Sequence, residues 1–265
     1  MPILELRNLT RRFASLVAVN GLSLLIEKGE MFGLLGPNGA GKSTTIKMLT
    51  TLLPPSEGTA LVDGFDICHQ AATVRRIIGY VPQMLSADGT LTGMENLLIF
   101  ARLYDLPRRE RRARVQEALD FMGLADAAHR LVREYSGGMI RRLEIAQSML
   151  HQPHVLFLDE PTVGLDPAAR RTVWDHIKEL CSQTGATVIL TTHQMEEADI
   201  LCDRIAIMHR GNLVALGTPQ ELKAGIGQGA ASLDDVFIHY TGSNLDSGGT
   251  YRETRRSRRR ARRLG

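Results

Sequence analysis

The chain has 265 residues, 43% of them hydrophobic and 23% charged, which is enough to bury one large core or two smaller lobes. No stretch approaches the roughly 18 uninterrupted apolar residues that a bilayer crossing needs, because runs such as 155–158 end at an acidic residue. The net charge of +3 is concentrated at one end: the last fifteen residues hold eight arginines and one glutamate, so the first 250 carry 24 basic and 28 acidic side chains, a balance of −4. Nucleic-acid binders usually carry their basic patch on the fold itself, so nucleic acid is not an expected partner.

The amino terminus, MPILELRNLT, has neither the basic nor the apolar part of a secretory leader, and a cytosolic protein is expected. Ile3 to Leu6 and Leu22 to Ile26 read as strands, with Gly29 opening the next connection. Met31 to Leu35 is a further apolar run that meets GPNGAGKST. Residues 45–53 then continue at helical spacing until Pro54 and Pro55. From about Ser86 to Gln152 the pattern is helical. Thr92 and Glu95 form a capping box ahead of LLIFARLY, and Val115, Leu119 and Met122 recur at one helix face before Gly123. The basic cluster PRRERRAR at 107–114 reads as a solvated helix face.

Strand and helix alternation then resumes with VLFLDE, a helix with Asp166 as N-cap and Pro167 as first residue, and TVILTT, which implies an α/β fold with parallel strands. Two apolar runs within 203–216 flank Gly211-Asn212 and suggest an edge hairpin. The core is expected to end near Gly225, followed by a short SLDDVF segment, and beyond Thr241 the composition gives no reason to expect order. Cys68, Cys181 and Cys202 show no metal-ligand spacing and are read as reduced thiols without chemistry.

Three segments carry chemistry. Gly36, Pro37, Asn38, Gly39, Ala40, Gly41, Lys42, Ser43 and Thr44 fit the phosphate-loop pattern. Its glycines let backbone amides close around phosphate oxygens, Lys42 reaches the β and γ phosphates, and Ser43 can ligate Mg²⁺. In VLFLDE, Asp159 is placed to hold Mg²⁺ through water and Glu160 to accept a proton from an attacking water. A solvated strand end is the plainer account of that hexapeptide taken alone, and the upstream loop weighs against it. In YSGGM at 135–139, Ser136 offers a hydroxyl while Gly137 and Gly138 let amides approach a phosphate at a helix start; a capped helix alone would have the same features.

YSGGM resembles the signature of the ATP-binding subunits of ABC transporters, whose usual form is LSGGQ, and the resemblance extends over residues 1 to about 222. It implies that Gln83 in YVPQ senses Mg²⁺ and touches a membrane subunit, and that PTVGLD with Asp166 is the D-loop. It makes His193 the switch histidine on the γ-phosphate and Phe13 the ring that stacks on adenine. Ser136, Gly137, Gly138 and Met139 of one subunit would then cover ATP held by another, in a head-to-tail homodimer. The implied fold is a RecA-like mixed-sheet core, 1–85 and 153–225, with an N-terminal antiparallel β subdomain and an inserted α-helical subdomain at 86–152. An extension at 226–240 and a disordered arginine-rich tail at 241–265 complete the reading. The implied cofactors are ATP and Mg²⁺.

The variant YSGGM, the stretch from 194 to 223 and the late SLDDVF resemble the daunorubicin and doxorubicin resistance branch. That implies a separately encoded ABC-2 type permease, export of an amphipathic substrate, and residence on the cytoplasmic face of the membrane. Two departures stand out: Met139 replaces the usual glutamine and Tyr135 the usual leucine, which leaves closure on ATP less well supplied with amide contacts. The alternative is a soluble ABC ATPase acting on ribosomes or nucleic acid. Against it stand a single cassette and about ninety residues between Thr44 and Tyr135, too few for a long coiled-coil insertion. The arginine tail suits a weak contact with anionic lipid headgroups, with solvated disorder as its alternative.

Overall fold

A computed structural model of the chain describes residues 2–227 and 232–242. In chain order the strands are β1 (Pro2–Phe13), β2 (Leu16–Glu27), β3 (Met31–Leu35), β4 (Glu57–Val62), β5 (Phe65–Asp66), β6 (Ile78–Val81), β7 (Val155–Asp159), β8 (Thr187–Thr192), β9 (Arg204–His209) and β10 (Asn212–Gly217). The helices are α1 (Lys42–Leu49), α2 (Ala71–Ile77), α3 (Gly93–Leu103), α4 (Arg111–Phe121), α5 (Gly137–Met149), α6 (Pro167–Thr184), α7 (Met195–Leu201), α8 (Pro219–Gly225) and α9 (Leu233–Thr241).

The strands form two sheets. One is antiparallel in the order β2-β1-β4-β5. The other runs β10-β9-β3-β8-β7-β6, parallel throughout except for β10, which pairs antiparallel with β9 at the edge. This is the mixed-sheet α/β architecture the sequence implies. Strands of the parallel sheet are apolar without alternation because both faces are covered. In β7, Val155 and Phe157 pack with the antiparallel sheet and α1, while Leu156 and Leu158 pack with the helices of the opposite layer. Phe157 is fully buried, and truncating it to alanine would cost about 3–5 kcal/mol.

The helices α3, α4 and α5 are inserted between β6 and β7. Thr92 and Glu95 form the capping box at α3, and Val115, Leu119 and Met122 are buried on one side of α4. Arg108, Arg109 and Arg112 of the basic cluster are exposed. Asp166 caps α6 by accepting from the amides of Ala168 and Ala169 at 3.0 and 2.9 Å.

Four expectations need correction. The first two strands run far beyond Ile3–Leu6 and Leu22–Ile26. Register shifts between Leu6 and Leu9, with Asn8 at φ 50°, break the alternation from which strand ends are read. The first helix stops at Leu49, before Pro54, because Thr51 turns the chain at φ 61° and the amides of Leu52 and Leu53 fold back onto the Lys47 carbonyl. The edge hairpin turns at Arg210-Gly211, both at positive φ, one residue earlier than expected. SLDDVF opens a helix that continues to Thr241 and buries Leu233, Val236 and Phe237 in the main core. Of the tail expected at 241–265, Thr241 closes this helix, and the arginine-rich part beyond 242, with its lipid contact, lies outside the described residues.

Candidate nucleotide-binding site

In an open parallel sheet, ligands bind beyond the carboxyl ends of the strands. At those ends stand the loop after β3 (residues 36–41), Gln83 after β6, Asp159 and Glu160 at the end of β7, and His193 after β8. Residues 38–44, Gln83 and Glu160 line a cavity of about 220 Å³. The loop fits because it lacks side chains where the backbone is crowded. At Gly41, φ is +105° and a Cβ would fall 2.5 Å from the Ala18 carbonyl, so only glycine suits. Gly41 also precedes α1 without any side-chain cap, leaving the helix's positive end for an anion.

Lys42 is 4% exposed. Its Nζ donates to the carbonyls of Gly36 and Pro37 at 2.8 and 3.2 Å and lies 3.4 Å from Glu160 Oε1. Burial pushes its pKa down, against the opposing pull of Glu160 and Asp159. Glu160 is likewise buried, at φ 49°, its amide donating to the Thr191 carbonyl and hydroxyl. A non-glycine residue held in that left-handed region is the kind of strain that collects at functional sites. Gln83 Nε2 donates to Glu160 Oε2 at 3.1 Å. His193 Nδ1 stands 3.3 Å from Glu160 Oε1, close enough to pair as ions but not aligned as a hydrogen bond.

Burial alone would raise the Glu160 pKa; the contact with His193 and the charge of Lys42 outweigh it and hold the carboxyl below its usual range. His193 is raised in turn, chiefly by Glu160 and against the effect of its own burial. The group is thus an ionised carboxylate with an amide, an ammonium and an imidazole converging on it. Beside it, Asp159 Oδ1 accepts from the hydroxyls of Ser43 at 2.8 Å and Thr191 at 2.6 Å. Ser43, Asp159 and Gln83 together offer only oxygen donors to a cation, which suits Mg²⁺.

Phe13 ends β1 at the hairpin tip, 42% exposed, with the Arg11 guanidinium 4.7 Å from its ring centroid. Ser136 N-caps α5 through Met139 N at 3.3 Å. Ser136 and Gly137 are exposed, and residues 136–139 do not line the 220 Å³ cavity of their own chain. Tyr135 is buried, donating to the Ala127 carbonyl at 2.6 Å where Gly93 leaves room for its hydroxyl, and Met139 packs on the core. The side chain of Asp166 is committed to capping α6.

The sequence reading missed Thr191, which orients both acids. Its signal was the threonine pair that closes β8 just before His193. It also missed Glu197, a buried carboxylate accepting from Thr162 Oγ1 at 2.7 Å and Trp174 Nε1 at 2.9 Å and so joining α7 to the loop after Glu160.

A strand, an anion-binding glycine loop at a helix start and two acids at the end of β7, one strand removed across β8, define a P-loop nucleotide-binding protein. Residues 19–163 match the ABC transporter family model. The chain is 48% identical over 230 residues to the daunorubicin/doxorubicin resistance ATP-binding protein DrrA of Streptomyces peucetius, covering 87% of this chain and 69% of that protein. It is 42% identical over 244 residues to the linearmycin resistance ATP-binding protein LnrL of Bacillus subtilis, covering 92% and 76%. A solved ATP-binding subunit of an ABC transporter superposes with a TM-score of 0.80 at 30% identity, covering 90% of this chain and 99% of that one. The chain belongs to the ABC transporter family as an ATP-binding subunit. It is an ATPase that works with membrane permease subunits, and among its described residues no helix is long and apolar enough to cross a membrane.

Proposed function

We propose that two copies of this chain bind two ATP molecules head to tail and drive an ABC-2 type permease that exports a drug-like or other amphipathic substrate from the cytoplasmic face of the membrane. The single observation that carries the hydrolytic part is the convergence of Lys42, Gln83 and His193 on the buried, ionised Glu160 at the mouth of the phosphate loop. Export is supported by what the relatives are named for: resistance to daunorubicin and linearmycin, and Nod factor export in a Burkholderia lata protein 43% identical over 224 residues.

In this reading the amides of residues 38–43 and Lys42 Nζ bind the phosphates, and the Lys42 ammonium leaves the Gly36 and Pro37 carbonyls to do so. Ser43 and Asp159 would hold Mg²⁺, which neutralises charge on the phosphate oxygens. Glu160 Oε2 takes a proton from the attacking water, Gln83 Nε2 fixes that oxygen's orientation, and His193 moves from Glu160 to the γ-phosphate. Phe13 stacks on the base. Ser136, Gly137 and Gly138 of the second copy close the site from the far side; the exposure of Ser136 and Gly137 at the start of α5, away from their own cavity, supports this. Light scattering of the Glu160→Gln variant tests the arrangement: a dimer that forms with ATP and not with ADP is expected, and a monomer in both would count against it.

A further inference from the structure

Two charged side chains buried in α5 lie outside the nucleotide cavity and take no part in the mechanism above. Arg141, on the second turn of α5, is 2% exposed. Its Nη1 donates to the Pro82 carbonyl at 2.7 Å and to Glu144 Oε2 at 3.0 Å, and its Nη2 donates to the Gln83 carbonyl at 2.8 Å. Glu144, 3% exposed, turns its other oxygen to the same loop: Oε1 accepts from the Ser86 amide, from Ser86 Oγ at 3.1 Å and from the Ala87 amide at 3.3 Å. A little further on, Asn96 of α3 holds Asp88 at both its amide and its carbonyl. The loop carrying Gln83 is thus gripped along its length by side chains of the inserted helices.

A buried ion pair is an expensive way to anchor a loop, since a well-packed apolar pair of similar volume often holds a protein as well or better. What the pair adds is direction. The guanidinium fork fixes two successive carbonyls at once, and the carboxylate fixes two amides a few residues on. The same helix begins at Ser136, so α5 carries at one end the segment offered to a second copy and, one turn in, the grip on its own chain's Gln83. Gln83 in turn holds Glu160 Oε2.

We infer that Arg141 and Glu144 are positioning residues that fasten residues 82–87 to α5, so that capture of Ser136–Gly138 by a second copy is transmitted to the Gln83–Glu160 contact of the chain that offers them. The inference rests on the head-to-tail reading. It makes the two ATP sites of a dimer dependent on each other through one rigid helix.

Arg141→Lys tests it, because lysine keeps the charge opposite Glu144 but its single ammonium cannot span both carbonyls and the carboxylate. Steady-state ATPase of the full chain should show kcat down about tenfold with KM unchanged, and the Ser86 and Ala87 amides should exchange hydrogen faster. Glu144→Gln keeps an acceptor oxygen for those amides and should stay within about threefold of the wild-type kcat. Thermal melting shows that each variant is folded, and Glu160→Gln is run beside them. Wild-type kcat in a folded Arg141→Lys protein, with Glu160→Gln inactive, overturns the linkage and leaves the hydrolytic site standing. A fall in kcat matched by an equal change in KM also overturns it, since that is damage to ATP binding. An active Glu160→Gln overturns the hydrolytic reading and the linkage with it.

Discussion

The phosphate loop and the start of α5 use the same device, a helix amino terminus preceded by small residues, but they are finished to different degrees. At α1 the loop has its complement inside the chain: Lys42 and Glu160 are both buried, and Gln83, His193, Ser43 and Asp159 stand around them. At α5 the start is exposed, the Ser136 hydroxyl makes only a 3.3 Å cap to Met139, and no catalytic group faces it among the residues lining the cavity. A site whose charges are already paired can bind and polarise. Residues 136–139 do not line their own chain's cavity, and that difference is what the two-copy proposal rests on.

The contrast can be broken most severely at its first half. Glu160→Gln should lower ATP turnover by a factor on the order of 10² to 10⁴ while ATP binding, followed by calorimetry, persists. Lys42→Ala removes the cation that faces the phosphates and leaves Glu160 buried without it, so ATP binding should weaken by about 2 kcal/mol or more, roughly thirtyfold. At the second half, Ser136→Arg should leave ATP binding to the single chain intact and reduce the ATP-dependent dimer by about tenfold or more, read by light scattering.

Met139→Gln sharpens the comparison with a smaller effect. It restores the amide found in the usual signature and should strengthen the ATP-dependent dimer by no more than about threefold. The smallest effect lies away from both halves, at Asp66. Burial would raise this carboxyl, but bonds from the His69 amide, Thr59 Oγ1, the Cys68 amide and the His69 ring hold it at about 2. A carboxyl lowered in the folded state stabilises above its unfolded pKa and stops doing so as pH falls through the folded one. Wild-type stability should therefore decline between about pH 4 and pH 2 by on the order of 1 kcal/mol more than that of Asp66→Asn, as measured by urea unfolding.

Much of the fold was legible because local and tertiary signals agree. The runs at 31–35, 155–159 and 187–192 are rich in apolar residues and buried throughout, as central parallel strands are, and Thr92 with Glu95 announces a helix start that the structure keeps. Strand ends at Leu6 and Leu22 were not legible, since a bulge changes which face each residue takes and leaves no mark in the alternation. Within the candidate site, residues that sit in contiguous motifs could be named from spacing: Lys42, Ser43, Asp159 and Glu160. Those that act from elsewhere in the fold, Thr191 on Asp159 or Arg141 on the carbonyl of Gln83, could not. A threonine closing a strand and an arginine inside a helix are ordinary until the backbone brings them 32 and 58 residues across the chain to their partners.

The central claim is that a second copy completes the site, and a crystal structure of Glu160→Gln with ATP and Mg²⁺ tests it most directly. The account requires Ser136 and the amides of Gly137 and Gly138 from one copy to lie within hydrogen-bond reach of the γ-phosphate held by the other. A nucleotide bound to the phosphate loop with that tripeptide turned away from every phosphate would contradict it.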